Sequence, residues 1–161
     1  MSKIKLDAID MRILGAVEEH GRMSKTALAE KVNLSATPCW TRLTRLEKAG
    51  IIRGYHAEIA IELIAKMTTV ILEVSLKRHR YEDFEAFEKR INELDEVVEC
   101  IATGGGRDYI MKLVVESIDE YQNLVDALLL ENLGIDRYFT YIVTREIKSK
   151  KPKLPTFQSQ T

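Results

Sequence analysis

Between Thr37 and Lys48 lie three threonines, two arginines and a lysine, interleaved with apolar residues at helical spacing in the stretch LSATPCWTRLTRLEKAG, residues 34–50. Successive side chains on a helix advance by about 100°. Cys39, Leu43 and Leu46 therefore share one side. Thr37, Thr41, Thr44, Arg45 and Lys48 gather opposite, with Arg42 and Trp40 flanking the seam. Hydroxyl and guanidinium groups on one helix face suit phosphate oxygens and base edges. The same pattern also describes the solvated face of an ordinary amphipathic helix. The elements around it decide between the two.

Three helices are predicted over the first sixty residues. Asp7, with Asp10 three positions on, caps the first, which buries Ile9, Ile13 and Val17 and stops at Gly21. Ser24 caps the second, which runs to about Val32, and Asn33 tolerates the left-handed turn that ends it. Ser35 or Thr37 caps the third, where Pro38 is tolerated because first-turn N–H groups have no intrahelical partner. A short helix, a tight turn and a longer helix with a polar first half form a helix-turn-helix, whose second helix enters the DNA major groove. In that geometry Thr37 and Thr41 face base edges, and Arg45 reaches a guanine or a phosphate. Trp40 either packs on the domain or touches DNA. Arg42 pairs either with phosphate or with Glu47 or Glu30, and Cys39 is read as a small buried side chain.

A second group of residues with chemical potential is GGGRDY, residues 104–109. Glycines allow backbone N–H groups to approach a carboxylate, as in an anion nest, while Asp108 is placed to hold an ammonium. The alternative is a plain hairpin turn capped by Asp108. The elements that position this loop follow a β-α-β-β-α-β order. TTVILEVSLK is a strand; YEDFEAFEKRINEL is a helix with Tyr81, Phe84, Phe87, Ile91 and Leu94 inward; VVECIAT and DYIMKLVVE form a hairpin. DEYQNLVDALLLENLG is a second helix, with Tyr121, Leu124, Val125, Leu128 and Leu129 inward, and RYFTYIVTREIK is the last strand. The fold class is α+β, a helix-turn-helix unit followed by a ferredoxin-like four-stranded antiparallel sheet with both helices on one face. The uncovered, largely apolar face asks for a second copy of the chain.

The net charge of −1 over 161 residues conceals an asymmetry. Residues 1–60 carry ten basic against seven acidic side chains, residues 61–147 ten against eighteen, and the last fourteen residues four lysines and no acid. A mildly basic front and an acidic body suggest two domains with different partners. Cys39 and Cys100 stand far apart with no CxxC pairing, as expected of reduced thiols in a cytoplasm. No apolar run approaches the roughly 20 residues that span a bilayer, and the N-terminus shows no secretion signal. No membrane partner is therefore expected.

The run from Leu6 to Ile59 resembles the DNA-binding domain of the leucine-responsive regulatory protein/AsnC (Lrp/AsnC) family of transcription regulators. The matching residues are LDAID, GRMSKTALAEKV, LSATPC, Arg42–Leu43 with Leu46–Glu47, and the closing Gly50 to Tyr55. Ala36 departs from the family's usual proline and Thr44 from a frequent basic residue, which bears on the target sequence rather than on the fold. Beyond it, Gly105 and Asp108–Tyr109 within ATGGGRDYIMKLVV match the family's ligand-sensing RAM-type domain, and the resemblance spans about residues 6–148. It implies that Ser35, Thr37, Pro38, Trp40, Thr41, Arg42 and Arg45 meet double-stranded promoter or operator DNA. It also implies an effector site, for a small molecule such as an amino acid, at contacts between dimers around Ala102, Thr103, Gly104, Gly105, Asp108, Ile118 and Tyr141, with Ile142 and Val143 beside Tyr141. Octamers are a further implication. Arg107, unusual in that loop, would favour an acidic effector.

The expected organisation is a DNA-binding domain at 6–52, a connector at 53–66, a ligand-sensing and oligomerising domain at 67–148, and a basic, flexible tail at 149–161. An enzyme is not expected. His20, His56 and His79 are scattered without metal-binding spacing, and no GxSxG or Walker loop is present. Neither a cofactor nor a metal is called for. The alternative function is a ligand-binding assembly protein whose front helices merely pack, without specific DNA binding.

Overall fold

The computed structural model describes residues 5–149 and 154; the basic tail expected at 149–161 lies almost wholly outside the described residues. Residues 5–59 belong to one structural unit and 60–149 to another, each with its own core.

Helix α1 spans Ala8–Glu19 and begins at a reciprocal cap. The Asp7 carboxylate accepts from the N–H groups of Ile9 and Asp10, at 2.9 and 2.8 Å, and Asp10 accepts in turn from the Asp7 N–H at 3.0 Å. Helix α2, Lys25–Lys31, starts at Ser24, whose hydroxyl accepts from the Ala27 N–H. Asn33 takes φ 55°, the left-handed turn expected of it. Helix α3, Ala36–Lys48, starts at Ser35, but the Ser35 hydroxyl makes no capping bond. Gly50, at φ 68°, lets the chain leave α3. Ile13, Leu14, Leu28, Val32, Cys39, Leu43 and Leu46 form the core of this three-helix unit, with Ile9 and Val17 half-buried at its margin. Among the described residues from 5 to 60 there is no strand.

The second unit opens with a single 3₁₀ turn, Ile61–Leu63, in the expected connector. Strand β1 is Thr68–Leu76, helix α4 Tyr81–Ile91, strand β2 Val97–Ala102, strand β3 Tyr109–Val115, helix α5 Ile118–Leu130 and strand β4 Ile135–Ile142. The sheet order is β2-β3-β1-β4 with every neighbour antiparallel, the ferredoxin-like arrangement. Alternation divides the sheet. Val70, Leu72 and Val74 pair in register with Leu113, Met111 and Tyr109, Leu76 pairs with Ile135 of β4, and the four β1 residues are buried with Phe87 and Ile91 of α4 and Tyr121, Val125 and Leu128 of α5. The opposite parity places Ile71, Ile101, Ile110, Phe139 and Tyr141 on the uncovered face, with Ile101, Phe139 and Tyr141 40–49% exposed.

Two inward assignments from periodicity are corrected. Tyr81, in the first turn of α4, is 77% exposed, and Leu129 is 40% exposed one position past the buried Leu128. Strand β4 ends at Ile142, earlier than its apolar alternation suggested.

The cap on α1 is sensitive to acid. The N–H groups it accepts, together with the Arg42 guanidinium, hold the Asp7 carboxyl at about 2, below the usual 3.8. A depressed folded-state value contributes stability above pH 3.8 that is lost as pH falls towards 2. Asn caps a helix about as well as Asp, so Asp7→Asn removes the charge and spares the cap. Thermal unfolding of the first unit, followed by emission of Trp40 (the single tryptophan), should show D7N less stable than wild type at neutral pH. The gap should close between pH 4 and pH 2. A gap independent of pH would remove Asp7 from the ion network.

Candidate nucleic-acid interface and effector loop

Helix α3 is held by its apolar seam, Cys39, Leu43 and Leu46, each under 7% exposed. Burial pushes the Cys39 thiol up, so it stays protonated and packs as a small apolar side chain. Ser35, Thr37, Pro38, Trp40, Thr41 and Arg45 are exposed, and Arg42 is half-buried. The Thr41 hydroxyl donates to the Thr37 carbonyl at 3.0 Å, which leaves its oxygen lone pairs and methyl group facing out. Lys25 of α2 sits 3.4 Å over the Trp40 ring, a cation–π contact that brings a further positive charge to this face. Trp40, Thr41, Arg45, Lys48 and Ala49 line a shallow concavity along α3.

The arginines occupy a place that spacing alone did not reveal. Arg42 donates to Asp7 at 2.7 Å and to Asp10 at 2.9 Å, rather than to Glu47 or Glu30, while Glu47 instead accepts from the Tyr55 hydroxyl. Arg45 donates to the other oxygen of Asp10. Asp10 is fully buried, so its charge is met by two guanidinium groups arriving from α3. The Asp10 signal was present in sequence only as a helix-cap partner. The second role needs 32 and 35 residues of separation and is invisible to local pattern. Thr44, assigned to the polar face, has its hydroxyl buried without a hydrogen-bond partner.

In the second unit, the loop between β2 and β3 is a closed hairpin. Thr103 donates its N–H to the Asp108 carbonyl at 2.8 Å and its hydroxyl to the Arg107 carbonyl. Asp108 spans to the end of β1. Its N–H donates to the Val74 carbonyl, and its carboxylate accepts from the Leu76 N–H at 2.7 Å and faces His79 Nε2 at 3.1 Å. The His79 ring stacks on Phe84. Arg107 turns back onto its own sheet, donating to Glu73 and to the Gly106 carbonyl and lying 4.3 Å from the Phe139 ring. Its charge is thereby engaged within the protomer.

Ala102, Thr103 and Asp108 line a groove of about 650 Å³ whose other wall is α4, with Phe84, Glu88 and Asn92. Tyr109, in the floor, donates its hydroxyl to Glu88 at 2.7 Å, and burial pushes its phenol up, so it stays neutral. Gly104 and Gly105 form the loop's tip. Ile118, at the start of α5, and Tyr141, on the uncovered sheet face, do not line this groove. The α4 wall and His79 were missed in sequence because nothing local links them to the β2–β3 loop, His79 standing 29 residues before Asp108 and Glu88 21 before Tyr109.

A three-helix unit with an exposed polar helix, followed by a ferredoxin-like unit with a glycine loop beside a groove, is the architecture of a DNA-binding regulator with a separate effector domain, and the family matches bear that class out. Residues 6–53 match the family model described as winged helix-turn-helix DNA-binding, and residues 69–152 match the Lrp/AsnC ligand binding domain. The chain is 47% identical over 145 residues to the transcriptional regulatory protein DoeX of Halomonas elongata, covering 90% of this chain and 92% of that protein. It is 41% identical over 143 residues to the leucine-responsive regulatory protein of Haemophilus influenzae, covering 89% and 86%. The solved structure of a Neisseria meningitidis transcriptional regulator in complex with L-methionine superposes with a TM-score of 0.82 at 31% identity, covering 90% of this chain and 94% of that one. The chain belongs to the Lrp/AsnC family of DNA-binding transcriptional regulators, with an N-terminal helix-turn-helix and a C-terminal effector-binding domain.

Of the three loop glycines only Gly105 is conformationally obliged, at φ 144°; a Cβ added at Gly104 or Gly106 meets open space. Gly105→Ala should destabilise by on the order of 1–3 kcal/mol, and Gly104→Ala and Gly106→Ala by no more than about 0.5 kcal/mol. Urea unfolding read in the far ultraviolet checks this, and equal losses at all three positions would refute it.

Proposed function

We propose that this regulator binds operator DNA as a dimer and that an amino acid, bound where dimers meet, changes its assembly and so its grip on DNA. The observation that carries the first half is α3, which leaves Ser35, Thr37, Pro38, Trp40 and Thr41 exposed on the side away from its core seam. On this reading these residues, with Arg42 and Arg45, are the DNA contacts. The DNA-binding domain is 6–52, the connector 53–66 and the sensing domain 67–148. One helix-turn-helix makes a small interface, so specificity requires two half-sites about one helical turn apart.

The second half is supported by two features. The uncovered sheet face carries Ile71, Ile101, Ile110, Phe139 and Tyr141, an apolar surface suited to a second copy. Of the effector residues the family resemblance implies, Ala102, Thr103 and Asp108 line the groove, Gly104 and Gly105 lie in the loop between Thr103 and Asp108, and Ile118 and Tyr141 stand apart. A site that needs all seven is completed by a neighbouring protomer. The Neisseria relative's complex with L-methionine and the leucine-responsive name of the Haemophilus relative favour an amino-acid effector. In that site Asp108 holds the ammonium and the loop N–H groups hold the carboxylate.

The test is fluorescence anisotropy on duplex DNA from upstream of the protein's own gene, in a salt series with excess competitor, repeated with each of the twenty amino acids. Saturable binding that outlasts competitor and shifts with one amino acid is expected. Sedimentation in that amino acid should show a different assembly size. Identical sedimentation and footprints with and without it would end the linkage mechanism, and no binding even at low salt would favour an assembly protein.

A further inference from the structure

Arg45 and Asp10 make an unusual pair for a DNA-binding face. Asp10 belongs to α1, is fully buried, and is fixed by three groups: the Asp7 N–H, Arg42 and Arg45. Arg45 belongs to the exposed side of α3 and keeps 46% of its side-chain surface open to solvent. A guanidinium has five N–H donors in a rigid planar fork. One nitrogen of Arg45 is spent on Asp10, and the remainder of the fork faces outward beside Thr41 and Lys48. A surface arginine without such an anchor sweeps many rotamers and takes whichever phosphate is nearest. One tethered at a buried carboxylate reaches only what lies in line with its fork.

We infer that Asp10 is a specificity-determining positioning residue: it restrains Arg45 so that α3 discriminates among base sequences, at the expense of nonspecific attraction to DNA. The inference rests on the proposed reading that α3 meets the major groove. Electrostatics favour the same outcome as the geometry. A carboxylate behind the recognition helix cancels one guanidinium, so the unit attracts an arbitrary phosphate backbone with about one fewer effective positive charge. What remains of Arg45's interaction depends on alignment with a base edge, which is the sequence-dependent part of recognition. Arg42, held by Asp7 and Asp10 together, braces the carboxylate from its other side.

The experiment selects bound duplexes from a pool of random sequence, with wild type and with Asp10→Asn, and measures the salt dependence of each protein on unselected random duplex. Asn keeps the shape and loses the charge. Asp10→Asn should bind random duplex more tightly, with a log–log salt slope steeper by about one, while its selected motif loses information at the base pair that Arg45→Lys also fails to read. A purely structural role predicts the opposite pattern, weaker binding to every duplex with an unchanged motif, and would overturn the inference. A wild-type pool that yields no motif would instead overturn sequence-specific binding, and this inference with it. A measurement on wild type alone guards against a misfolded variant. In nitrogen-15 arginine spectra of the free protein, assigned with Arg45→Lys, the Arg45 guanidinium should rotate slowly and exchange its protons slowly. A freely rotating fork refutes the restraint.

Discussion

A carboxylate without solvent has to be neutralised by what surrounds it, and in the N-terminal unit that requirement falls on Asp10. The apolar contacts of α3 do not meet it. Burial of Cys39, Leu43 and Leu46 turns the apolar seam of α3 inward, a non-directional attraction. Hydrogen bonds from Arg42 and Arg45 to the two oxygens of one buried group are directional. The ion network therefore adds a directional restraint on the roll of α3 to the one its apolar seam imposes. Removing Arg42 or Arg45 leaves the buried Asp10 carboxylate with one guanidinium where it now has two. The residues proposed to read DNA thus also brace the fold, and Asp7 joins them by capping α1 and binding Arg42.

The second unit depends on a different constraint, the parity of its strands. A sheet with both helices on one face must leave the other to water or to a partner. On the open face two charge pairs are matched within the protomer: Glu73 with Arg107 at 3.2 Å, and Lys112 with Glu146 at 3.8 Å. Phe139 accepts the Arg107 guanidinium against its ring. Glu99, on the edge strand β2, shares this face and has no ion-pair partner among the described residues. The paired charges nearer the middle can be covered without stranding an ion, which is what the proposed dimer contact demands of them.

The fold was legible where period and caps agreed. Asp7, Ser24, Asn33 and Gly50 punctuate the three helices as their backbone preferences dictate, and the order of the later elements with its alternation was enough to specify a ferredoxin-like sheet. Tyr81 and Leu129 were misplaced because a helical period does not fix how much of the apolar stripe, along or around the helix, its neighbours cover. The candidate sites were legible as lists of residues and illegible as networks. Arg45 reads from spacing as a cation for guanine or phosphate, yet its partner in the protomer comes from α1; Asp108 reads as an ammonium ligand or a turn cap, yet it binds Leu76 and His79 at the far end of β1. Both pairings join elements more than twenty residues apart, and a single sequence carries no mark of them.

The two constraints bear on one problem, which is how a weak reader becomes selective. A single helix-turn-helix buries only about 600–1,000 Å² on DNA, and an arginine restrained by Asp10 makes one such unit poorer at nonspecific binding than its exposed charges suggest. Affinity must then come from engaging a second unit, where tethering raises the effective concentration without new contacts. That makes binding steeply dependent on assembly. A coupling of about 1–3 kcal/mol, ordinary for a small effector, is enough to change how many recognition helices act together. Under the proposed mechanism a ligand between dimers need not touch or distort α3. It has only to shift the population of assemblies, because the recognition unit has been held too weak to act alone.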